Sequence, residues 1–201
     1  MKKIMMMSAV AMMTAMSVQA QEGYDDTKHE IGISYGGMSN STWMSIGDAL
    51  GTYLISVGTV RYEDGKFVGP IGLEYFYHVS PVVGLGAVGV YAQETKDMFI
   101  GNESYGDAKN TYISVMPAAK FNWLRKKYFG LYSKAAVGVI FATKKENYTK
   151  GNSENISKTN VDFNWQASIL GIEAGSPNVR GFVELGVGEQ GIGVAGLRCK
   201  F

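Results

Sequence analysis

The stretch that decides the fold is GVAGLRCKF (193–201), in which residue character alternates with a period of two. One face carries Gly193, Ala195, Leu197, Cys199 and Phe201, and the other carries Val194, Gly196, Arg198 and Lys200. Alternation of this kind is typical of a β-strand, because successive side chains point to opposite faces of a sheet. We therefore predict a strand with one apolar face that ends on an aromatic residue and a second face that carries cations.

The amino-terminal segment predicts export. Lys2 and Lys3 precede an apolar stretch over residues 4–18, and residues 18–20 read Val-Gln-Ala, a small-residue cleavage site. We expect a signal peptide over residues 1–20 and a mature barrel domain over residues 21–201. The alternative, an uncleaved anchor, is disfavoured because the apolar stretch is too short to cross a bilayer as a helix.

Composition excludes several classes of protein. The chain has 19 basic and 18 acidic side chains, and removal of Lys2 and Lys3 leaves 17 basic ones. A mature charge near −1 gives no electrostatic reason to expect binding to nucleic acid. The lone Cys199 excludes an internal disulfide framework. After residue 20 there is no run of roughly 18 apolar residues, so a membrane location requires a closed barrel.

Eight strands and their connections follow from the hydrophobic pattern. We predict strands at about 30–37, 66–78, 82–95, 110–124, 128–144, 161–174, 180–186 and 191–201. Tight turns follow the second, fourth and sixth strands, at 79–81, 125–127 and 175–178. Long polar segments follow the first, third and fifth, at 38–65, 96–109 and 145–160. Short turns on one side and long loops on the other are typical of bacterial outer-membrane barrels, with both termini in the periplasm.

The faces of most strands separate into an apolar and a polar set. In the fourth strand Ile113, Val115 and Phe121 share one side, and Ser114 and Lys120 share the other. An apolar outside with a polar inside is what lipid requires, whereas a soluble lipocalin-like barrel reverses this arrangement. The third strand is apolar and glycine-rich on both faces, so its faces stay unassigned.

The chain resembles the small eight-stranded outer-membrane proteins of the OmpX and OmpW type, in particular the "outer membrane protein beta-barrel domain" group of uncharacterised proteins. The resemblance rests on GPIGLEYFY (69–77), HVSP (78–81), GIE (171–173) and GLRCKF (196–201). It implies an all-β, eight-stranded antiparallel up-and-down transmembrane β-barrel that contacts outer-membrane lipid. It also implies that the barrel-assembly machinery reads Phe201 as an assembly signal.

Catalytic, cofactor and metal sites are not expected. The two histidines, His29 and His78, both fall at the periplasmic side of this topology, away from the outer leaflet where a lipid-modifying enzyme acts. They are also far apart in sequence and have no nearby cluster of ligands. Three G-x-G-x-x-G segments lie in or beside strands and open no helix, so they lack the geometry that binds phosphate.

Charged residues on the inward faces form the main candidate site. The face assignment places five of them inside the periplasmic half of the lumen, namely Glu74, Lys120, Lys134, Glu184 and Arg198; Glu173 and Arg180 are further candidates. Opposite charges in a narrow lumen offset each other's desolvation, and an eight-stranded barrel is just wide enough for side chains to fill. We interpret the set as a structural plug; a gated path for a small solute is the alternative.

The first long loop contains a helical pattern. Its apolar residues recur at helical spacing, with Ser41 or Thr42 placed to cap the start; they include Trp43, Ile46, Leu50, Tyr53 and Leu54. The pattern predicts a short amphipathic helix or apolar flap near the outer rim. A bent hairpin that extends the first two strands is the alternative.

Function is predicted only at the level of class. We expect a non-enzymatic, monomeric outer-membrane protein, structural or surface-interacting, with a lumen plugged by paired charges. The alternative is an OmpW-like channel or binding protein for small apolar molecules beneath residues 43–57.

Overall fold

The computed structural model describes residues 27–44, 61–100, 103–148 and 156–201. They form eight strands: β1 (His29–Gly37), β2 (Arg61–His78), β3 (Val83–Ile100), β4 (Glu103–Arg125), β5 (Phe129–Tyr148), β6 (Ile156–Gly175), β7 (Val179–Gly188) and β8 (Gly193–Lys200). Each strand pairs with its neighbours in antiparallel register, and β1 also pairs with β8. The sheet is therefore a closed up-and-down barrel, which confirms the predicted fold class.

Several strands are longer than the sequence pattern predicted. The predicted loops 96–109 and 145–160 are wrong over most of their length, because β3 continues to Ile100, β4 begins at Glu103, and β5 and β6 pair as far as Glu146↔Ile156. The second strand likewise begins at Arg61 instead of 66. Many residues of these extensions are polar, as in the pairs Thr95↔Lys109 and Thr143↔Thr159. Their composition therefore resembles that of a loop.

The barrel has walls of two heights. The tall wall consists of β2 to β6, which have 18 to 23 residues each. The short wall consists of β7, β8 and β1, which have 10, 8 and 9 residues. Pairing across the two seams ends at Tyr35↔Ile71 and Gln166↔Gly188. The tall wall therefore extends about ten residues, roughly 30 Å of strand, beyond the short wall.

Apolar side chains point outward around the barrel. Those of Ile33, Leu73, Val115, Phe163 and Leu197 are between 52% and 72% exposed. The third strand follows the same rule, since Leu85 and Tyr91 face outward and Val88, Val90 and Ala92 are buried in the lumen. Within the described residues, no helix is long and apolar enough to cross a membrane.

One helical turn follows β1. Residues 40–44 are helical, and the Trp43 N–H donates to the Ser39 carbonyl at 3.1 Å. The predicted cap at Ser41 or Thr42 is wrong: Ser39 Oγ accepts the Thr42 N–H at 3.3 Å, so Ser39 caps the turn. The candidate flap residues Ile46, Leu50, Tyr53 and Leu54 lie outside the described residues.

Phe201 completes the seam where the barrel closes. Its N–H donates to the His29 carbonyl at 2.9 Å, and its carbonyl accepts the His29 N–H at 2.8 Å. Its ring stacks on the His29 imidazole with centroids 5.5 Å apart, and Tyr75 and Tyr77 lie on the other sides of that imidazole. An aromatic patch therefore forms on the outer surface at this end of the barrel, which by the predicted topology is the periplasmic end.

Candidate functional site

Nine charged side chains that pair with one another are buried in the lumen near the end that carries Phe201. This charge cluster contains five cations and four carboxylates, all buried: Lys120, Lys134, Arg180, Arg198, Lys200, Glu30, Glu74, Glu173 and Glu184. Seven of the eight strands contribute, and β3 alone supplies none. Each of the four carboxylates lies within salt-bridge distance of at least two cations.

Arg198 is the centre of the charge cluster. Its Nε lies 2.7 Å from Glu30 Oε1 and its Nη1 lies 2.7 Å from Glu173 Oε2. Its Nη2 contacts Glu74 Oε1 and lies 3.7 Å from Glu184 Oε1. The flat faces of the guanidinium lie against the rings of Phe182 and Tyr132, 4.1 and 4.8 Å from their centroids. A planar group with several donors and two apolar faces suits this position better than an ammonium would.

The two lysines that β4 and β5 contribute to the charge cluster pair with different carboxylates. Lys134 Nζ lies 2.8 Å from Glu74 Oε2 and 2.8 Å from Glu184 Oε1. Lys120 Nζ lies 2.8 Å from Glu30 Oε1 and 3.4 Å from Glu173 Oε2, and it also lies over the ring of Tyr132. Lys120 and Lys134 are directly opposite each other on the two strands. Like charges in that position repel, so each lysine needs its own pair of carboxylates to offset the repulsion.

Arg180 and Arg198 form a second like-charged pair across β7 and β8. Glu173 bridges them, with Oε1 2.7 Å from Arg180 Nη1 and Oε2 2.7 Å from Arg198 Nη1. Lys200 Nζ also contacts Glu173 Oε1. Glu173 reaches the lumen because the β6–β7 register shifts between Ser168 and Leu170. Simple alternation from Phe163 and Trp165, which point outward, would have placed Glu173 in lipid.

The structure brings together the five predicted lumen residues and the two further candidates, Glu173 and Arg180, and it adds Glu30 and Lys200. Glu74, Lys134, Glu184 and Arg198 contact one another, whereas Lys120 pairs with Glu30 and Glu173 instead of Glu74 or Glu184. A sequence signal was present for Glu30, which alternates with the outward Ile31, and for Lys200, which shares the face of Arg198.

The two histidines occupy opposite faces of the same end of the barrel. His29 is in the outer aromatic patch, and its Nδ1 lies 2.9 Å from the hydroxyl of Tyr75. His78 is buried in the lumen, with Nε2 3.3 Å from Glu30 Oε2 and Nδ1 3.4 Å from Asn122 Nδ2. Across the described ranges, no group of three or more His, Cys, Asp or Glu is arranged to hold a metal ion.

An apolar cluster lines the lumen beside the charges. It consists of inward side chains of β2 to β5, namely Phe76, Val88, Val90, Met116, Ala118 and Ala136. Val88 is directly opposite Glu74 on the neighbouring strand. The charge cluster is therefore bounded on one side by side chains that offer it no hydrogen bonds, so its charges depend on one another.

The half of the lumen away from Phe201, which is the outer half in the predicted topology, differs in chemistry from the charge cluster. Glu189 and Gln190, in the β7–β8 turn, are buried among the hydroxyl and amide groups of Ser34, Ser41, Ser114, Asn164 and Gln166. Farther out, between the inner face of the tall wall and Met44, lies a cavity of about 510 Å³. Its lining combines apolar and polar groups, including Tyr112, Ala142, Asn110, Lys144, Lys158 and Asp162. Of the candidate flap, Trp43 is described and half-exposed beside Met44.

A closed eight-stranded barrel with apolar side chains outside and charges inside is the architecture of a small membrane β-barrel. The resemblance to the small eight-stranded outer-membrane barrels is thereby confirmed at the level of fold.

No family model matches the chain, and no curated protein matches it. Among solved structures, the chain is similar to two crystal structures of Ail, the attachment invasion locus protein of Yersinia pestis, one of them in complex with the heparin analogue sucrose octasulfate. The sequence identities are 17% and 18%, and both TM-scores are 0.44. The matches cover 89% and 87% of this chain and 99% and 97% of the Ail chains.

Proposed function

We propose that this protein is a non-enzymatic integral protein of the bacterial outer membrane. Its lumen is closed by the charge cluster, and its tall wall extends into the external medium. The observation that carries the proposal is the division of side chains, with the exposed apolar belt outside and the nine buried side chains of the charge cluster inside. That division suits lipid around the barrel and would be unstable in water, where a broad apolar surface promotes aggregation.

Export and assembly belong to the same proposal. Residues 1–20 are removed as a signal peptide, the barrel-assembly machinery recognises Phe201, and the mature chain inserts as a monomer. The exposed position of Phe201, at the seam between β8 and β1, supports a role in recognition because its ring is accessible from outside the barrel. Replacement of Phe201 by Asp should lower the amount of assembled barrel, with Val179→Asp at the same end as the control for an added charge.

The location is tested by fractionation and by gel mobility. The mature protein is expected in the outer-membrane fraction, and the unheated sample should migrate differently from the boiled one because a folded barrel resists detergent. A mature protein that stays in solution without detergent would contradict the proposal.

The closed lumen is tested by electrical recording. Purified protein in a planar bilayer is expected to show no steady conductance, because nine side chains from seven strands occupy the lumen. Glu184→Ala with Arg198→Ala removes two of them and should give a measurable conductance. Conductance of the same size in the unaltered protein would contradict closure by the charge cluster.

The tall wall supports the surface-interacting role. It extends beyond the short wall, and its outward residues near the tip are polar, including Lys109, Lys145 and Thr159. A strand region without an apolar face has no reason to be in lipid, so we place it in the external medium. Binding experiments on whole cells, with and without this protein on their surface, test the role.

A second function is favoured by the cavity of about 510 Å³. Met44, Tyr112 and Ala142 supply an apolar surface, and Lys144, Lys158 and Asp162 supply charges at its edge. Such a lining suits a small molecule with an apolar body and a polar group. If the cavity belongs to an OmpW-like path, deletion of residues 43–57 should raise conductance; unchanged conductance would contradict the path.

A further inference from the structure

The β7–β8 turn folds into the barrel instead of away from it. Glu189 and Gln190 at its tip are fully buried. The Glu189 N–H donates to the Trp165 carbonyl at 3.0 Å, and the Gln190 N–H donates to Gln166 Oε1 at 2.8 Å. On the other side the turn lies so close to β1 that a Cβ on Gly36 would clash with the Gln190 carbonyl oxygen. The position of Glu189 is therefore fixed by backbone contacts on both sides.

The segment 39–44 covers Glu189 from the outer side. The Ser41 N–H donates to Glu189 Oε2 at 3.1 Å, and Asn40 Nδ2 donates to Asn164 Oδ1 at 2.8 Å. Met44, at the end of the segment, lines the outer cavity. Segment 39–44 thus reaches from Glu189, at the end of the short wall, to the lining of the outer cavity.

Glu189 has no cation beside it in the part of the chain that the structure describes. Among the described residues, no lysine, arginine or histidine lies within salt-bridge distance of its carboxylate, and its Oε1 accepts no hydrogen bond. Burial therefore raises the pKa of Glu189, and hydrogen bonds from Asn164, Ser41 and Ser114 oppose that rise only in part.

The titratable groups near Glu189 are few. Segment 39–44 contains none, and β1 presents Ser34 and Gly36 on the side facing the turn. On β4 the neighbours of Ser114 along the inner face are Tyr112 and Met116, and on β6 Asp162 lies two residues outward of Asn164. Toward the inner lumen, Glu74 and Glu184 are already paired with Lys134 and Arg198.

We propose that Glu189 is a pH-sensitive contact that keeps segment 39–44 closed over the lumen when its carboxyl is protonated and releases the segment when it ionises. The protonated carboxyl is neutral and can stay buried among hydroxyl and amide groups. The ionised carboxylate is better solvated by water, which it reaches only if segment 39–44 moves away. Closure is favoured at low pH and is lost as the pH rises through the raised pKa of Glu189.

Amide exchange of segment 39–44 tests the proposal directly. The mature protein, refolded in detergent, is followed by NMR, and the protection factors of the Ser41 and Trp43 amides are corrected for intrinsic exchange. Protection should fall between about pH 4 and pH 8, roughly tenfold for each pH unit by which burial raises the pKa. Glu189→Gln keeps the shape and the acceptor for Ser41 but cannot ionise, so its protection should be independent of pH.

The matched control is Glu94→Gln. Glu94 is also buried in the outer half, but its Oε1 lies 2.9 Å from Lys96 Nζ and its Oε2 accepts from Asn110 Nδ2 at 3.2 Å. That variant should retain the pH dependence of the unaltered protein. Equal protection at both pH values in the unaltered protein, or the same pH dependence in Glu189→Gln, would overturn the proposal.

A second measurement does not depend on any variant. The carboxyl carbon of Glu189, labelled with ¹³C in the unaltered protein, should titrate with a midpoint above the ordinary range for glutamate. A midpoint within that range would overturn the proposal even if Glu189→Gln failed to fold.

Discussion

Buried carboxylates have opposite surroundings in the two halves of the lumen. In the charge cluster, each of Glu30, Glu74, Glu173 and Glu184 contacts at least two cations, and Arg198 contacts all four. In the outer half, Glu189 is equally buried, but among the described residues it has neutral hydrogen-bonding neighbours and no cation within salt-bridge distance. The same residue type therefore stabilises the barrel in one half and disfavours its own ionised form in the other. Burial alone does not decide what a carboxylate does; its partners do.

The largest effect is expected from Arg198→Leu. The change leaves four cations for the four carboxylates of the charge cluster, but it removes the guanidinium that contacts all four and the donors beside Glu30 and Glu173. We expect a loss of about 3–5 kcal/mol in the free energy of unfolding, measured by urea titration in lipid vesicles. Lys145→Leu, at an exposed site on β5, is the control and should change it little. Similar losses in both variants would show that the charge cluster does not stabilise the barrel.

A smaller loss is expected from Glu74→Gln. The substitution keeps the shape of the side chain but removes a charge that faces Lys134 and Arg198. Both cations keep other carboxylate partners, so we expect a loss of about 2–3 kcal/mol in the same titration. Arg198→Leu and Glu74→Gln combined should cost less than the sum of the two losses, because both act on one network. Strict additivity would mean that the two residues act independently.

Glu189→Gln should have the opposite sign. Because burial raises the pKa of Glu189, its stabilising contribution is fully present below the ordinary glutamate range and is lost as the pH rises through the raised pKa. At about pH 8 the variant should therefore be more stable than the unaltered protein, by about 1 kcal/mol for each pH unit by which burial raises that pKa. At about pH 4 the two proteins should agree, and urea titrations at the two pH values check this. If Glu189→Gln lost stability at about pH 8, as Glu74→Gln is expected to, buried carboxylates would act in the same way in both halves of the lumen.

The smallest effect is expected from Ser39→Ala. Ser39 Oγ accepts the Thr42 N–H, and without it the helical turn loses about 1 kcal/mol of local stability. The Thr42 and Trp43 amides should exchange several-fold faster, while urea unfolding of the barrel stays unchanged. Ser176→Ala removes a comparable hydroxyl from the β6–β7 turn. It is the control, and amide exchange in segment 39–44 should not change in that variant. A drop in barrel stability would show that the segment is part of the folded core.

The fold was predictable because lipid imposes one rule on every strand. Period-two alternation gave the strand count, the closing strand and the lumen positions of Glu74, Lys120 and Arg198. The rule does not apply beyond the apolar belt, so the strand ends between Thr95 and Lys109 looked like a loop. It is also interrupted at register shifts, and the shift in β6 turns Glu173, a further candidate in the sequence, inward.

The partners within the lumen were less predictable than the faces. Alternation tells which way Lys120 points, but not that Glu30 of β1, across the barrel, is its partner. The role of Glu189 was hidden for a different reason. A short polar turn ordinarily points into water, and only the contacts with β1 and β6 show that this one is buried.

The placement of Arg198 and Lys200 on β8 also has a consequence for the order of folding. A sheet of β1 to β7 alone would bring together the four carboxylates of the charge cluster and only three of its five cations. Arg198, which contacts all four carboxylates, takes its place only when β8 pairs with β1. Closing the barrel and completing the charge cluster are therefore one step, so we expect the open sheet to be much less stable than the closed barrel.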